Sequence, residues 1–183
     1  HIISSAIEHP AIYKTLEFLE GEGFTVTILP VDEKGHISLT ELEKTLREDT
    51  VMVSIMTVNN EMGAVEDIHA IGELIKKKNP NCLFHTDAIQ AYGKMILRPK
   101  KDFVDLLSVS GHKLHGPKGI GFLFIDERVK IDPILFGGGQ QGGLRSGTLN
   151  IPGITGMGLA AKMVYQDFPE KIERLYQLKD YFI

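Results

Sequence analysis

Apolar, β-branched runs alternate with amphipathic stretches along most of this chain, and that alternation restricts the fold more than any other feature. "HPAIYKTLEFLEGEG" reads as a helix opened by a proline and stopped by Gly21 and Gly23. The strand-like "FTVTIL" follows it. In "SLTELEKTLRED", Ser38 and Glu41 stand at capping-box spacing, and Leu39, Leu42 and Leu46 share one helical face. "TVMVSIMTV" is apolar at nearly every position, as a strand covered on both faces requires. "VEDIHAIGELIKKKN" places acids early and lysines late, in keeping with the helix dipole. "CLFHTDA" and "DLLSVSG" are further strands, and the link to "GIGFLFI" is too short for a parallel crossover, which predicts an antiparallel neighbour. "FGGGQQGGLRSGT" is predicted as a long loop. The pattern predicts an α/β fold, a mostly parallel sheet flanked by helices, over residues 1–183 as one domain.

Composition narrows the partners. A formal net charge of -4 leaves no basic excess to neutralise a phosphate backbone, so nucleic acid is not expected. No apolar run approaches the roughly 20 residues needed to span a bilayer, and "HIISSAIEHP" is unlike a signal peptide. A cytoplasmic protein without a membrane partner is expected. The single cysteine, Cys82, sits in "NCLFHTD" as a small hydrophobe of a strand. The chain opens without methionine and closes on an amphipathic helix with no stop signal, so a fragment is expected.

In open parallel sheets, ligands bind beyond the carboxyl ends of the strands. Asn59, Asn60 and Glu61 follow one predicted strand, Asp87 and Gln90 a second, and Ser110, His112 and Lys113 a third. A lysine amine is a nucleophile toward aldehydes, and its usual enzymatic partner is pyridoxal 5'-phosphate, whose ring nitrogen needs an aspartate beside it to keep its proton. Asp87 fits that role, Ser110 and His112 fit the phosphate, and Gly111 allows a tight backbone path.

These residues lie within "FHTDAIQAYGK", "LLSVSGHKLHGPKGIG", "SSAIEHPAI", "MTVNNEMGAVEDI" and "GGGQQGGLRSGTLN". In this order the stretches resemble the cysteine desulfurases, pyridoxal-phosphate enzymes of the class V aminotransferase group. The resemblance implies the aspartate-aminotransferase-like fold (fold type I), with residues 1–183 as the central cofactor-binding large domain. It implies that Lys113 binds the cofactor aldehyde and later moves protons at the substrate α-carbon, that Asp87 bonds the pyridine nitrogen, and that Gln90 bonds the ring hydroxyl. His9 would stack on the ring and serve as an acid or base, and Asn60 would lie beside the ring hydroxyl and the substrate carboxylate. Ser110 and His112 would hold the phosphate, joined by Thr148 of a neighbouring subunit in a homodimer. Arg145 is a candidate for the same shared wall, or a residue that only fixes its loop. The implied reaction takes L-cysteine to L-alanine and leaves persulfide sulfur for a sulfur-acceptor protein serving iron–sulfur cluster assembly or thiolation. The family's catalytic cysteine, its phosphate loop and its substrate-binding arginine have no counterpart in residues 1–183, so this stretch alone is expected to desulfurate nothing.

Other readings use the same residues. A selenocysteine lyase or an aminotransferase of the same group would share Asp87 and Lys113, and a non-catalytic binding domain would keep the fold without the chemistry. His85, Asp87, His112 and His115 also read as metal ligands, with "HKLH" spacing two histidines on one helical turn; the prolines and glycines around it argue against a helix, and no metal site is expected.

Overall fold

The computed structural model describes residues 1–183. Its strands are β1 (Ile2–Ser5), β2 (Val26–Leu29), β3 (Met52–Ser54), β4 (Leu83–Asp87), β5 (Leu106–Ser110) and β6 (Gly121–Ile125), joined in a 6-stranded sheet of order β2-β1-β3-β4-β5-β6. The first five are parallel, with Ile3 opposite both Thr27 and Val53, Ser54 opposite His85, and Asp87 opposite Ser108. Along β5 and β6 the partners run in opposite senses: the Asp126 amide donates to the Asp105 carbonyl, and the Gly111 amide to the Ile120 carbonyl. The predicted antiparallel strand is therefore present.

The helices are α1 (Pro10–Gly21), α2 (Leu39–Thr45), α3 (Ile68–Lys78), α4 (Ile151–Tyr165) and α5 (Phe168–Phe182). Side chains satisfy amides that a first helical turn leaves unpaired: His9 accepts from Ala11, Ser38 from Glu41, Asp67 from Ala70 and Asn150 from Gly153. Only half of the expected capping box forms, because the Glu41 carboxylate turns to Lys44 at 2.8 Å. The segment Gly111–Leu114 is a 3-10 turn closed by His115 in the left-handed region, with the Gly116 amide donating to the Gly111 carbonyl. The expectation that prolines and glycines keep "HKLH" out of a helix is corrected in part: no α-helix forms, but a 3-10 turn does, since it needs only one i→i+3 bond and the glycines fall at its edges.

The chain divides into two compact units. The first comprises His1–Ala91, Leu97–Val109 and Leu123–Asp126; the second comprises Tyr92–Ile96, Ser110–Phe122 and Glu127–Ile183. In the first, Ile3, Val53, Ile55, Phe84 and Ile75 have no exposed surface and form the core that the apolar runs required. Lys76 on α3 pairs with Asp105, whose carboxylate also accepts the Phe84 amide, so one buried charge pair ties a helix to the sheet. Gly72 lets α3 approach the 102–103 turn: a Cβ there would lie 2.3 Å from the Asp102 carbonyl oxygen. In the second unit α4 packs on the 3-10 turn, and an added Cβ on Gly111 would meet Ile120 and Met157. The Tyr165 hydroxyl accepts the Gly93 amide and donates to the Met95 carbonyl.

Candidate active site

Strand order explains where the first unit gathers its polar residues. The connection from β1 leads to β2 on one side of the sheet, and the connection from β3 leads to β4 on the other. The switch point thus lies between the carboxyl ends of β1 and β3, the place where open α/β sheets bind ligands. Two segments meet there, residues 5–9 after β1 and residues 56–60 after β3. The Asn59 amide nitrogen donates to the Ile7 carbonyl at 2.8 Å, and its oxygen accepts the backbone amides of Glu61 and Met62. Buried Asn59 therefore shapes the loop and leaves the neighbouring Asn60 exposed.

His9 is exposed at the start of α1. Asp87 ends β4 with only 5% of its surface exposed, and its Oδ1 accepts the Ile89 amide at 2.9 Å. Burial raises the Asp87 pKa above the usual carboxylate value, opposed by the Ile89 bond and by the field of His9. The backbone also fixes this residue, since the Asp87 carbonyl accepts the Thr57 amide at 2.9 Å. Gln90 is half-buried three residues further on. The first unit thus holds His9, Asn60, Asp87 and Gln90 of the predicted set. His85 faces inward instead, bonded to Ser54 and Ser108, and desolvation pushes its pKa down to about 4.

The second unit holds Ser110, His112, Lys113, Arg145 and Thr148. The Ser110 hydroxyl lies 2.7 Å from His112 Nδ1, so the two predicted phosphate ligands are already hydrogen-bonded to each other. Lys113 is exposed on the 3-10 turn and lines a cavity of about 640 Å³ with Lys94, Tyr92 and Met163. Burial, and then the charge of Lys113, hold Lys94 below the usual lysine range. Arg145 folds back on its own loop, its guanidinium donating to the Ser146 carbonyl at 3.4 Å. Thr148 is exposed on the same loop.

Sequence reasoning passed over Glu8 and Lys94. Glu8 is half-buried and stands immediately before His9, and an acid between "SSAI" and "HPAI" just past a strand was the available signal. Lys94, in "YGK", carried none.

Residues 1–182 match the family model for Aminotransferase class-V. The chain belongs to the class-V aminotransferase family. Among curated members of this family, it is 48% identical to the cysteine desulfurase IscS of Clostridium botulinum (strain Hall) over 179 residues, 98% of this chain and 45% of the relative. It is 48% identical to the cysteine desulfurase IscS of Methanosarcina thermophila over 183 residues, 45% of that protein. A solved NifS-like protein superposes with a TM-score of 0.95 at 43% identity, covering 98% of this chain and 49% of the other. SspA, solved in complex with cysteine, superposes with a TM-score of 0.85 at 39% identity over 95% of this chain and 52% of its own. The chain therefore spans about half the length of the class-V relatives it matches. The sheet order and these likenesses agree with the expected fold type I architecture, mostly parallel and flanked by helices.

Proposed function

We propose that the full-length protein is a pyridoxal 5'-phosphate-dependent cysteine desulfurase, converting L-cysteine to L-alanine and passing the sulfur on as a persulfide. The observation that carries this reading is Asp87, a nearly dry carboxyl at the carboxyl end of a central parallel strand, with an imidazole near enough to favour its charge. A buried carboxylate needs a cationic partner, and a protonated pyridine supplies one. In the second unit, the family likeness is supported by chemistry alone: Ser110 and His112 are a paired hydroxyl and imidazole of the kind that binds a phosphate, and Lys113 is an exposed primary amine of the kind that takes an aldehyde.

When bound, the cofactor supplies an electron sink for the pair released at the substrate α-carbon. Residues of this chain would hold the group and handle its protons. Asp87 holds the proton at the ring nitrogen, and Gln90 orients the ring hydroxyl. His9, on a fixed helix start, exchanges a proton with the substrate near neutral pH. Lys113 would hold the aldehyde through Nζ and would carry a proton to and from the substrate α-carbon. Asn60 orients the substrate carboxylate.

Cys82 is not the sulfur-accepting thiol in this reading: it has no exposed surface, and burial pushes its pKa up to about 11, far from the thiolate that sulfur transfer needs. That thiol comes from outside residues 1–183, and a sulfur-acceptor protein takes its product. A homodimer completes the phosphate site through Thr148. The Thr148 loop supports this, since Ile134 and Phe136 beside it are 89% and 83% exposed, as residues awaiting a protein partner would be. The cytoplasm, where unpaired thiols such as that of Cys82 are the norm, is the proposed compartment.

The test is to load the full-length protein with pyridoxal phosphate, reduce with borohydride and map the modified peptide. Label on Lys113, with sulfide and alanine released from cysteine, supports the proposal. Label on another lysine removes the assignment, and amino-group transfer to a keto acid without sulfide identifies an aminotransferase instead.

A further inference from the structure

The carboxyl of Glu8 lies across the switch point between β1 and β3. Its Oε1 accepts the Ser5 hydroxyl at 2.7 Å, at the end of β1, and the Met56 amide at 2.8 Å, two residues beyond β3. Its Oε2 is buried without a hydrogen-bond partner. Together with the bond from Asn59 to the Ile7 carbonyl, these contacts join residues 5–9 to residues 56–60. The same two segments carry His9 and Asn60.

The surroundings decide the charge. An ionised Glu8 would bury negative charge on Oε2 with neither a donor nor a cation to receive it. A neutral acid costs less: Oε1 as a carbonyl oxygen still accepts both donors, and the proton on Oε2 leaves an unpaired hydroxyl, which is far cheaper to bury than an unpaired charge. The titratable groups facing Glu8 are Asp87 at the end of β4 and Glu66 ahead of α3, both acids, and His9 adjoins it in the chain. Desolvation first, with lesser repulsion from Asp87 and Glu66, pushes the Glu8 pKa up to about 7 against the opposing bonds from Ser5 and Met56.

We propose that Glu8 is a positioning residue: as a neutral acid it clasps the turn that carries His9 to the loop that carries Asn60, and by staying uncharged it leaves the negative charge at this edge to Asp87. The inference rests on the roles given above to His9, Asn60 and Asp87.

The experiment compares the full-length wild-type protein with Glu8→Gln and Glu8→Ala. Glutamine keeps a carbonyl oxygen for Ser5 and Met56 and cannot ionise, whereas alanine has neither property. Glu8→Ala is expected to lower kcat/KM for cysteine about tenfold or more at pH 6.5, the scale of a misplaced reacting group. Glu8→Gln rescues most of that loss and lacks the wild-type decline as pH rises through about 7. Infrared spectra of the cofactor-free protein give a readout independent of turnover: wild type shows the carbonyl stretch of a protonated acid at pH 6 that fades by pH 8, and Glu8→Gln lacks it. No such band, Glu8→Gln as impaired as Glu8→Ala, or Glu8→Ala as active as wild type would each overturn the proposal. A protein that binds no pyridoxal phosphate defeats the functional reading instead, and the infrared band still decides the charge of Glu8. If Glu8→Ala does not fold, Ser5→Ala takes its place, and an unchanged kcat/KM in that variant overturns the clasp.

Discussion

The Nε2 of His85 on β4 lies 2.9 Å from the hydroxyl of Ser108 on β5, while its Nδ1 lies 2.8 Å from the hydroxyl of Ser54 on β3. One imidazole thus joins three adjacent strands, and it does so uncharged, because its burial disfavours the cation. A residue that offers two nitrogens to a metal in the sequence is, in the fold, committed to the sheet.

Stability should respond to pH through His85 and Glu8 in opposite senses. The His85 pKa falls from 6.5 to about 4 on folding, so its contribution is complete above pH 6.5 and is lost as pH falls toward 4. The Glu8 pKa rises from 4.5 to about 7, so its contribution is complete below pH 4.5 and is lost as pH rises toward 7. Each shift corresponds to about 3 kcal/mol. Between pH 4.5 and 6.5 the two nearly cancel, and Glu8→Gln leaves the His85 slope uncovered. Urea midpoints across this range should stay nearly level for wild type and fall with acid for the variant; equal slopes would contradict the assignment.

Asp87→Asn keeps the shape of the carboxyl and removes its charge. Turnover of cysteine is expected to drop about a hundredfold or more, with weaker cofactor retention on dialysis, because a neutral amide does not hold a proton on a ring nitrogen. Wild-type turnover in this variant, measured as alanine formed, would show that Asp87 serves only the backbone of Ile89.

Lys113→Ala removes the amine and leaves the 3-10 turn, which is held by backbone bonds. The variant should bind pyridoxal phosphate reversibly, retain none after borohydride and denaturation, and turn over about 10³-fold more slowly. Mass spectrometry of the reduced protein checks the first point and a sulfide assay the last.

Gly72→Ala tests the contact between α3 and the 102–103 turn. With a Cβ placed 2.3 Å from the Asp102 carbonyl oxygen, backbone must move, and a loss of about 3 kcal/mol is expected from thermal or urea unfolding. A midpoint unchanged from wild type would mean that the turn yields freely.

Cys82 should resist iodoacetamide at pH 8 in the folded protein and react once urea unfolds it, since its thiol is both covered and held protonated. Cys82→Ala should release as much sulfide from cysteine as wild type. Rapid alkylation of the native protein would return Cys82 to the list of candidate sulfur carriers.

Much of this protein was determined by local sequence. Alternating periods set the strands and helices, and Pro10 and Ser38 marked helix starts, because each of these signals depends on neighbours within a few positions. The division into two compact units, the 3-10 turn under Lys113, the sheet-spanning role of His85 and the clasp made by Glu8 were decided only in three dimensions. Glu8 meets Met56 across 48 residues, and His85 meets Ser54 across 31. Periodicity reports which side of one element is apolar; whether a carboxyl or an imidazole keeps its charge depends on how completely distant segments take away its water, and only packing sets that.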